Sequence, residues 1–291
     1  MINFRTDLAL ERRDLFKKAN NIENEVDGLK TQEETFDNNI KVSRVKVLNE
    51  NGEQAIGKRK GTYITIDIKN LKIAGEEQIQ KASEAVTKEL KNLIGNLVGP
   101  QEDILIVGLG NLYVTPDALG PKVVNEIDIT RHLLNYMPDV LDKETRPVSA
   151  ISPGVLGTTG IETLEVIKGI VENIHPKLII VIDALASRSI ERISSTVQLA
   201  DTGIVPGAGV GNERKELTKE SLGVPVIAIG IPTVVEAATI AADSLDLFIQ
   251  KVQQDAKSNE FLNQLQEEDK YEMIKDCLLY TSPSPRDRSV S

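Results

Sequence analysis

Four short apolar runs between residues 103 and 249 constrain the fold more than any other feature of this sequence. They read DILIVGLG, RPVSAISPG, KLIIVIDA and VPVIAIGIP, and stretches with helical periodicity separate them. Consecutive apolar positions rich in Ile and Val are typical of strands that helices cover on both sheet faces. The sequence therefore predicts an α/β fold, with a three-layer α/β/α core around a mainly parallel sheet.

The residues before this region have other periodicities. VSRVKVLN, from Val42, and TYITIDI, after Gly61, alternate apolar and polar positions as half-buried strands do. They predict a small antiparallel β element, with NGE between the strands as a turn. Residues 76–97 have apolar side chains at helical spacing before a Gly-Pro pair, which predicts an amphipathic helix.

Composition excludes several classes of protein. A net charge of −10 is unfavourable for binding phosphate backbones, so no direct nucleic-acid partner is expected. Cys277 is the single cysteine, which excludes an intramolecular disulfide and fits a reducing compartment. The N-terminus lacks an apolar signal core, and the apolar runs are too short to cross a bilayer. We expect a cytoplasmic protein without a membrane partner.

The last residues differ in character from the rest of the chain. A plausible charged helix extends to Asp276, but residues 277–291 read CLLYTSPSPRDRSVS and have neither helical nor strand periodicity. This segment resembles translated adaptor sequence, and it is excluded from the fold prediction. Cys277 then has no functional role.

The common catalytic motifs are missing from this sequence. It contains no HExxH, GxSxG or GxxxxGK[ST] motif, and His132 and His175 are its two histidines, both expected to be structural. GLGN at 108–111 could suggest a dinucleotide site, but Tyr113 stands where the third glycine of GxGxxG belongs. The glycine-rich stretch 195–216 holds a strand-like segment followed by four glycines in close succession, and a mobile surface loop is expected there.

Two aspartates are placed where parallel sheets put their sites. Asp183 directly follows LIIVI, and Asp117 lies in the loop after an earlier apolar strand. The carboxyl ends of parallel strands meet at one edge, so these side chains could lie close together. Two neighbouring carboxylates cannot both ionise at low cost, so one keeps a proton while the other can act as a base on water. This pairing suits peptide hydrolysis, although a strand-end Asp can also cap the next helix.

Several longer segments resemble one known family in the same order. They are RTDLALE (5–11), VGLGNLYVTPDALGPKVV (107–124), ITRHL (129–133), RPVSAISPGVLGTTGIET (146–163), IDALASRSIERI (182–193), GAGVGNERKE (207–216) and GVPVIAIGIPTVVEA (223–237). Together they resemble the spore germination endopeptidases, over about residues 3–255. Several segments in a fixed order are more specific than any single short motif.

The resemblance implies an atypical aspartate-dependent endopeptidase with a core related to the hydrogenase-maturation endopeptidases. It implies a homotetramer in the forespore and spore core that is made as an inactive precursor and degrades small acid-soluble spore proteins. The family's required aspartates fall on Asp117 and Asp183, and no cofactor or metal is expected. By analogy with substrates of the type Thr-Glu-apolar-Ala, self-cleavage is expected between Asp7 and Leu8.

The expected domains follow from these patterns. They are a propeptide at 1–7, an N-terminal extension with the small β element at 8–75, a catalytic core at 76–255, a truncated helical segment at 256–276 and a foreign tail at 277–291. Members of the resembled family continue beyond the position where residues 277–291 begin, so a C-terminal segment is expected to be absent.

Arg188 is the first candidate for binding the acidic substrate residue, and Arg131 is the second, because Arg can bind a carboxylate through two hydrogen bonds.

Two other functions stay open at this point. Asp117 and Asp183 could be metal ligands, since hard oxygen ligands suit Mg²⁺ or Ca²⁺. Two carboxylates without a nearby histidine supply few ligands for such a site. A non-enzymatic nucleotide-binding module built on GLGN is the third possibility. The peptidase is the favoured interpretation.

Overall fold

The computed structural model describes residues 5–95, 97–137, 139, 141–142, 144–211 and 214–244. In these ranges the chain forms an eight-stranded sheet with helices against it. The strands are β1 Leu29–Asp37, β2 Ile40–Val47, β3 Gly61–Ile68, β4 Ile104–Gly108, β5 Val148–Ile151, β6 Leu178–Ser187, β7 Thr196–Ala200 and β8 Val226–Val235. The helices are α1 Ala9–Ala19, α2 Glu50–Ile56, α3 Glu76–Ile94, α4 Leu119–Glu126, α5 Arg131–Tyr136, α6 Leu156–Thr159, α7 Thr163–Ile174 and α8 Lys219–Leu222.

The sheet is mixed, with the strand order β1-β2-β3-β7-β8-β6-β4-β5. The four apolar runs form β4, β5, β6 and β8, and these strands pair in parallel. β7 runs antiparallel to both β3 and β8, and β1, β2 and β3 are antiparallel to one another. The α/β prediction is confirmed, whereas the prediction of a mainly parallel sheet is wrong, because β7 joins the antiparallel strands to the same sheet.

The connection between β2 and β3 also differs from its prediction. The residues NGE, predicted as a turn, belong to the helix α2. The side chain of Asn49 caps this helix by accepting a hydrogen bond from the N–H of Gly52 at 3.1 Å. A capped N-terminus satisfies a backbone donor that a short helix would otherwise leave unpaired, so the helix replaces the turn.

Helices cover the sheet on both faces. On one face, α3 and α4 pack against apolar side chains of β2, β3, β4, β6, β7 and β8. On the other face, α7 and α8 cover the parallel strands, while α1 and α2 cover the antiparallel half. The completely buried side chains of Ile66, Val107 and Ile179 belong to this core. Burial of both faces explains why the parallel strands are apolar at consecutive positions.

Helix α3 confirms the amphipathic helix predicted over residues 76–97, with Ala82 and Ala85 buried against the sheet. No helix in the described ranges is long and apolar enough to cross a membrane. The expected helix up to Asp276, Cys277 and the segment 277–291 lie outside the described residues. The domain boundaries stay predictions.

Candidate active site

Asp183 lies in the parallel half of the sheet, within the carboxyl-terminal half of β6. Asp183 is 6% exposed, and one of its carboxylate oxygens accepts a hydrogen bond from the N–H of Ala184 at 2.9 Å. Burial raises the pKa of Asp183 well above its ordinary value, the charges of Asp117 and Asp7 raise it further, and the bond from Ala184 opposes the shift. A group in this position tends to hold a proton.

Asp117 reaches the same edge from the loop that follows β4. It ends a short 3₁₀ turn, Thr115–Asp117, and its carboxylate accepts a hydrogen bond from the N–H of Asn111 at 2.8 Å. Gly110 has a φ of 109°, and a Cβ there would overlap the backbone oxygen of Asp117, so glycine permits this loop to close. Burial raises the pKa of Asp117, and the hydrogen bond from Asn111 lowers it.

Both aspartates line one cavity of about 480 Å³ at the carboxyl ends of the parallel strands. Loops that follow β4 and β5 form its walls together with β6, β8 and part of the glycine-rich stretch. The structure therefore brings Asp117 and Asp183 together, at the edge where open α/β sheets bind their ligands. Their mutual repulsion contributes to the raised pKa of Asp183.

Asp7 lies at the wall of this cavity. Its N–H donates to the carbonyl of Ala186 on β6 at 2.9 Å, and its carboxylate accepts the N–H of Ala186 at the same distance. The amide of Gln198 on β7 donates to the carbonyl of Asp7 at 3.1 Å and accepts the N–H of Ala9 at 2.8 Å. The residues on either side of the bond predicted to be cut, Asp7–Leu8, are thus held by hydrogen bonds to β6 and β7.

Buried polar contacts fix the chain on either side of this bond. Glu11 is 6% exposed, accepts the N–H groups of Arg188 at 2.7 Å and Ser189 at 3.3 Å, and also accepts the hydroxyl of Thr6. The hydroxyl of Thr6 in turn accepts the N–H of Leu8 at 3.1 Å. A carboxylate with several donors is well satisfied when buried. Residues 6–11 are therefore tied to the end of β6.

The glycine-rich stretch takes part in this arrangement. Gly207 and Val210 line the cavity, and a Cβ at Gly209 would overlap the carboxylate of Asp7. Glycine here permits close approach between a loop and a charged side chain. The sequence predicts a mobile surface loop here, and the structure shows that part of this stretch forms a wall of the cavity. The strand β7 occupies its beginning.

Gly110 and Asn111 of GLGN line the cavity, whereas Gly108 has a packing role and the histidines lie outside the cavity. A Cβ at Gly108 would overlap the backbone of Gly120, so this glycine lets α4 pack closely against β4. His132 is exposed on α5, and His175 is exposed at the C-terminal cap of α7. Neither histidine lines the cavity.

The predicted arginines lie away from the cavity. Arg188 binds Asp243 through two hydrogen bonds of 3.0 and 2.7 Å, and Arg131 forms an ion pair with Asp103 at 3.3 Å. Neither lines the cavity, so the structure does not bring them together with the aspartates, and their role in substrate binding stays a prediction.

Other basic residues, which the sequence analysis did not single out, line this cavity or the one beside Asp7. Arg214 lines the cavity, and Lys58 and Arg12 line a smaller cavity of about 140 Å³ that Asp7 and Gln198 also border. Burial lowers the pKa of Lys58 to about 8, with the charge of Arg12 acting in the same direction and that of Asp7 against it. No sequence pattern distinguishes Lys58 from surface lysines. In the described ranges, no three His, Cys, Asp or Glu side chains form a group that could hold a metal ion.

Comparisons with known proteins agree with the resemblance. The family model described as germination protease matches residues 7–276. A germination protease of Clostridium perfringens is 51% identical over 96% of this chain and 86% of its own length. One from Caldanaerobacter subterraneus is 49% identical over 96% of this chain and 85% of its own, and one from Priestia megaterium is 48% identical over 84% and 67%. The chain therefore belongs to the germination protease family and is a peptidase.

Proposed function

We propose that this chain is an endopeptidase that starts the degradation of small acid-soluble spore proteins during germination, and that it is made as a zymogen that cuts itself between Asp7 and Leu8. One observation carries this proposal. Asp7, the residue before the predicted cleavage bond, lies at the wall of the cavity that Asp117 and Asp183 line. In this position the N-terminal segment occupies space that a substrate chain would need. Cutting it would open the site.

The two aspartates take different roles in this proposal. Asp183 is the more deeply buried and has the more strongly raised pKa, so it holds a proton and acts as the acid. Asp117 accepts an N–H hydrogen bond, which favours its charged form, and acts as the base on a water molecule in the cavity. Environments that push two carboxyl groups apart in pKa are typical of acid and base pairs.

The same contacts explain why the uncut chain would be inactive. Leu8 and Ala9 are completely buried, and Asp7 brings a third carboxylate towards the pair. The charge of Asp7 beside this pair disfavours the further negative charge that forms on the carbonyl oxygen as the bond is attacked. The homotetramer and the location in the spore core are part of the proposal.

The test is incubation of the full chain at mildly acidic pH, followed by intact mass and cleavage of a peptide that contains Thr-Glu-Ile-Ala. Asp117→Asn and Asp183→Asn are the matched variants, since each keeps the shape of its side chain. The proposal expects loss of residues 1–7 and peptide cleavage by the unsubstituted chain alone. A folded, tetrameric chain that does neither would contradict it.

Cleavage assays with a strong chelator distinguish the proposed mechanism from the alternative in which the aspartates bind a metal ion. Cleavage that continues in the presence of the chelator supports water activation by the aspartates themselves. Cleavage that stops and returns with Mg²⁺ or Ca²⁺ would instead make Asp117 and Asp183 ligands.

A further inference from the structure

The side chain of Gln198 contacts the chain on both sides of the Asp7–Leu8 bond. Its Nε2 lies 3.1 Å from the carbonyl oxygen of Asp7, and its Oε1 lies 2.8 Å from the nitrogen of Ala9. The carbonyl oxygen of Asp7 belongs to the peptide bond that is predicted to be cut. One amide therefore spans that bond.

The two contacts fix the orientation of this amide. The N–H of Ala9 can only donate, so the oxygen of Gln198 must face it, and the NH₂ group must then face Asp7. Gln198 is 7% exposed, so little water competes for these hydrogen bonds. A donor at the carbonyl oxygen is thus held in place before any reaction begins.

The sheet places Gln198 in line with Asp183. Gln198 on β7 pairs with Gly230 on β8, and Gly230 pairs with Asp183 on β6. Residues opposite one another on adjacent strands point to the same face of a sheet. Gly230 has no side chain, and Leu185 lies against it. The amide and the carboxylate therefore lie on the same face of the sheet, on the two strands that flank β8.

We propose that Gln198 is a catalytic residue that stabilises the negative charge on the carbonyl oxygen of the bond being cut, an inference that rests on the proposed function. The oxygen of water adds to the carbonyl carbon of Asp7, and its proton passes to the aspartate that acts as base. The carbonyl electrons move to oxygen, where the Nε2–H of Gln198 donates to the developing charge. The carbon–nitrogen bond then breaks, the acid gives its proton to the nitrogen of Leu8, and a carboxyl group and an amine result.

The same donor serves cleavage of another chain. A substrate with Glu before the cut places its carbonyl where that of Asp7 lies, so Gln198 meets the equivalent oxygen. Removing one preorganised donor of this kind costs about 10²–10³ in kcat. The loss falls on kcat because the hydrogen bond strengthens as charge develops on the oxygen.

Two variants test this role in the full chain. Gln198→Glu keeps an oxygen for the N–H of Ala9 but loses the donor in its ionised form, while Gln198→Leu removes both contacts and keeps the volume. Thr196→Val is the matched control, since Thr196 is also buried on β7 and bonds Asp67 at 2.7 Å, away from the N-terminal segment. Self-processing is followed by intact mass, and kcat and KM are measured on a peptide that contains Thr-Glu-Ile-Ala, with Tm for each variant.

The expected result is a fall of about 10²–10³ in kcat and in the self-processing rate for both Gln198 variants, with KM changed much less and Thr196→Val close to the unsubstituted chain. Unchanged kcat with raised KM or lowered Tm would make Gln198 only an anchor for α1 and overturn the inference. An equal loss in Thr196→Val would also overturn it. If the unsubstituted chain cuts nothing while folded, the proposed function itself fails.

Discussion

Asp7 and Ala186 are joined by two hydrogen bonds of 2.9 Å, one through the backbone N–H of Asp7 and one through its carboxylate. Ala186 lies three positions after Asp183 on β6. A single residue of the N-terminal segment is thus tied by main chain and side chain to the strand that holds the buried aspartate. This pairing links the state of the N-terminus to the electrostatics of the site.

Asp183→Asn should abolish self-processing and stabilise the fold. Loss of the acid costs about 10²–10⁴ in rate, since proton transfer to the leaving nitrogen is lost. The folded pKa of Asp183 lies above its unfolded value, so the folded chain binds a proton that the unfolded chain has released, and stability falls as pH rises through that interval. Asn has no charge to desolvate, and we expect an increase in Tm of about 2–4 °C at pH 7.

Thermal unfolding of Asp183→Asn and of the unsubstituted chain at several pH values measures this difference in Tm. The gain in Tm should shrink as the pH falls below about 4, where Asp183 becomes protonated in the unfolded chain as well as in the folded chain. A gain independent of pH would mean that the charge of Asp183 is not the cause.

Asp7→Asn should move the pH dependence of self-processing. The charge of Asp7 raises the pKa of Asp183, so its removal lowers that pKa towards the ordinary value. The limb of the rate profile that reports the protonated form of Asp183 should then shift to lower pH. Single-turnover processing rates between pH 4 and 8 measure this shift, and an unmoved profile would contradict the coupling between the two carboxylates.

Gly209→Ala should release the N-terminal segment. The added methyl group would overlap the carboxylate of Asp7 and crowd Ala186, at a cost of about 1–3 kcal/mol. Hydrogen exchange at the amides of Asp7 and Leu8 should accelerate, because both are held by hydrogen bonds in the intact arrangement. Gly169→Ala on α7 is the control: its Cβ meets nothing within 4 Å, and it should stabilise by up to about 1 kcal/mol. Equal exchange in both variants would speak against the contact.

Lys58 should titrate near pH 8, below the ordinary range of lysines. Burial lowers its pKa to about 8, so its amine loses most of its charge before ordinary lysines do. Between this value and the ordinary lysine pKa, the unfolded chain holds a proton that the folded chain has lost, so this group adds stability as pH rises. The Cε chemical shift of Lys58 reports the titration, with Lys81 as control because its hydrogen bond to Glu77 raises its pKa. Titration of both lysines together would refute the prediction.

The sequence by itself determined the local part of this structure. The consecutive apolar positions of β4, β6 and β8 are largely buried on both faces, and such burial favours parallel strands under two helical layers. Asp117 and Asp183 follow from the same pattern, because side chains at the carboxyl ends of parallel strands meet at one edge. The order of long matching segments was sufficient to identify the family.

Tertiary structure decided how the halves join and what surrounds the aspartates. The alternation of β2 and β3 suits a separate hairpin and an extension of a larger sheet equally well, because it specifies which face is buried and not which strand lies beside it. Only the long-range pairing of β7 with β3 and β8 selects the mixed sheet. That pairing also brings Gln198 to the bond after Asp7, 191 residues earlier in the chain, which no local periodicity encodes.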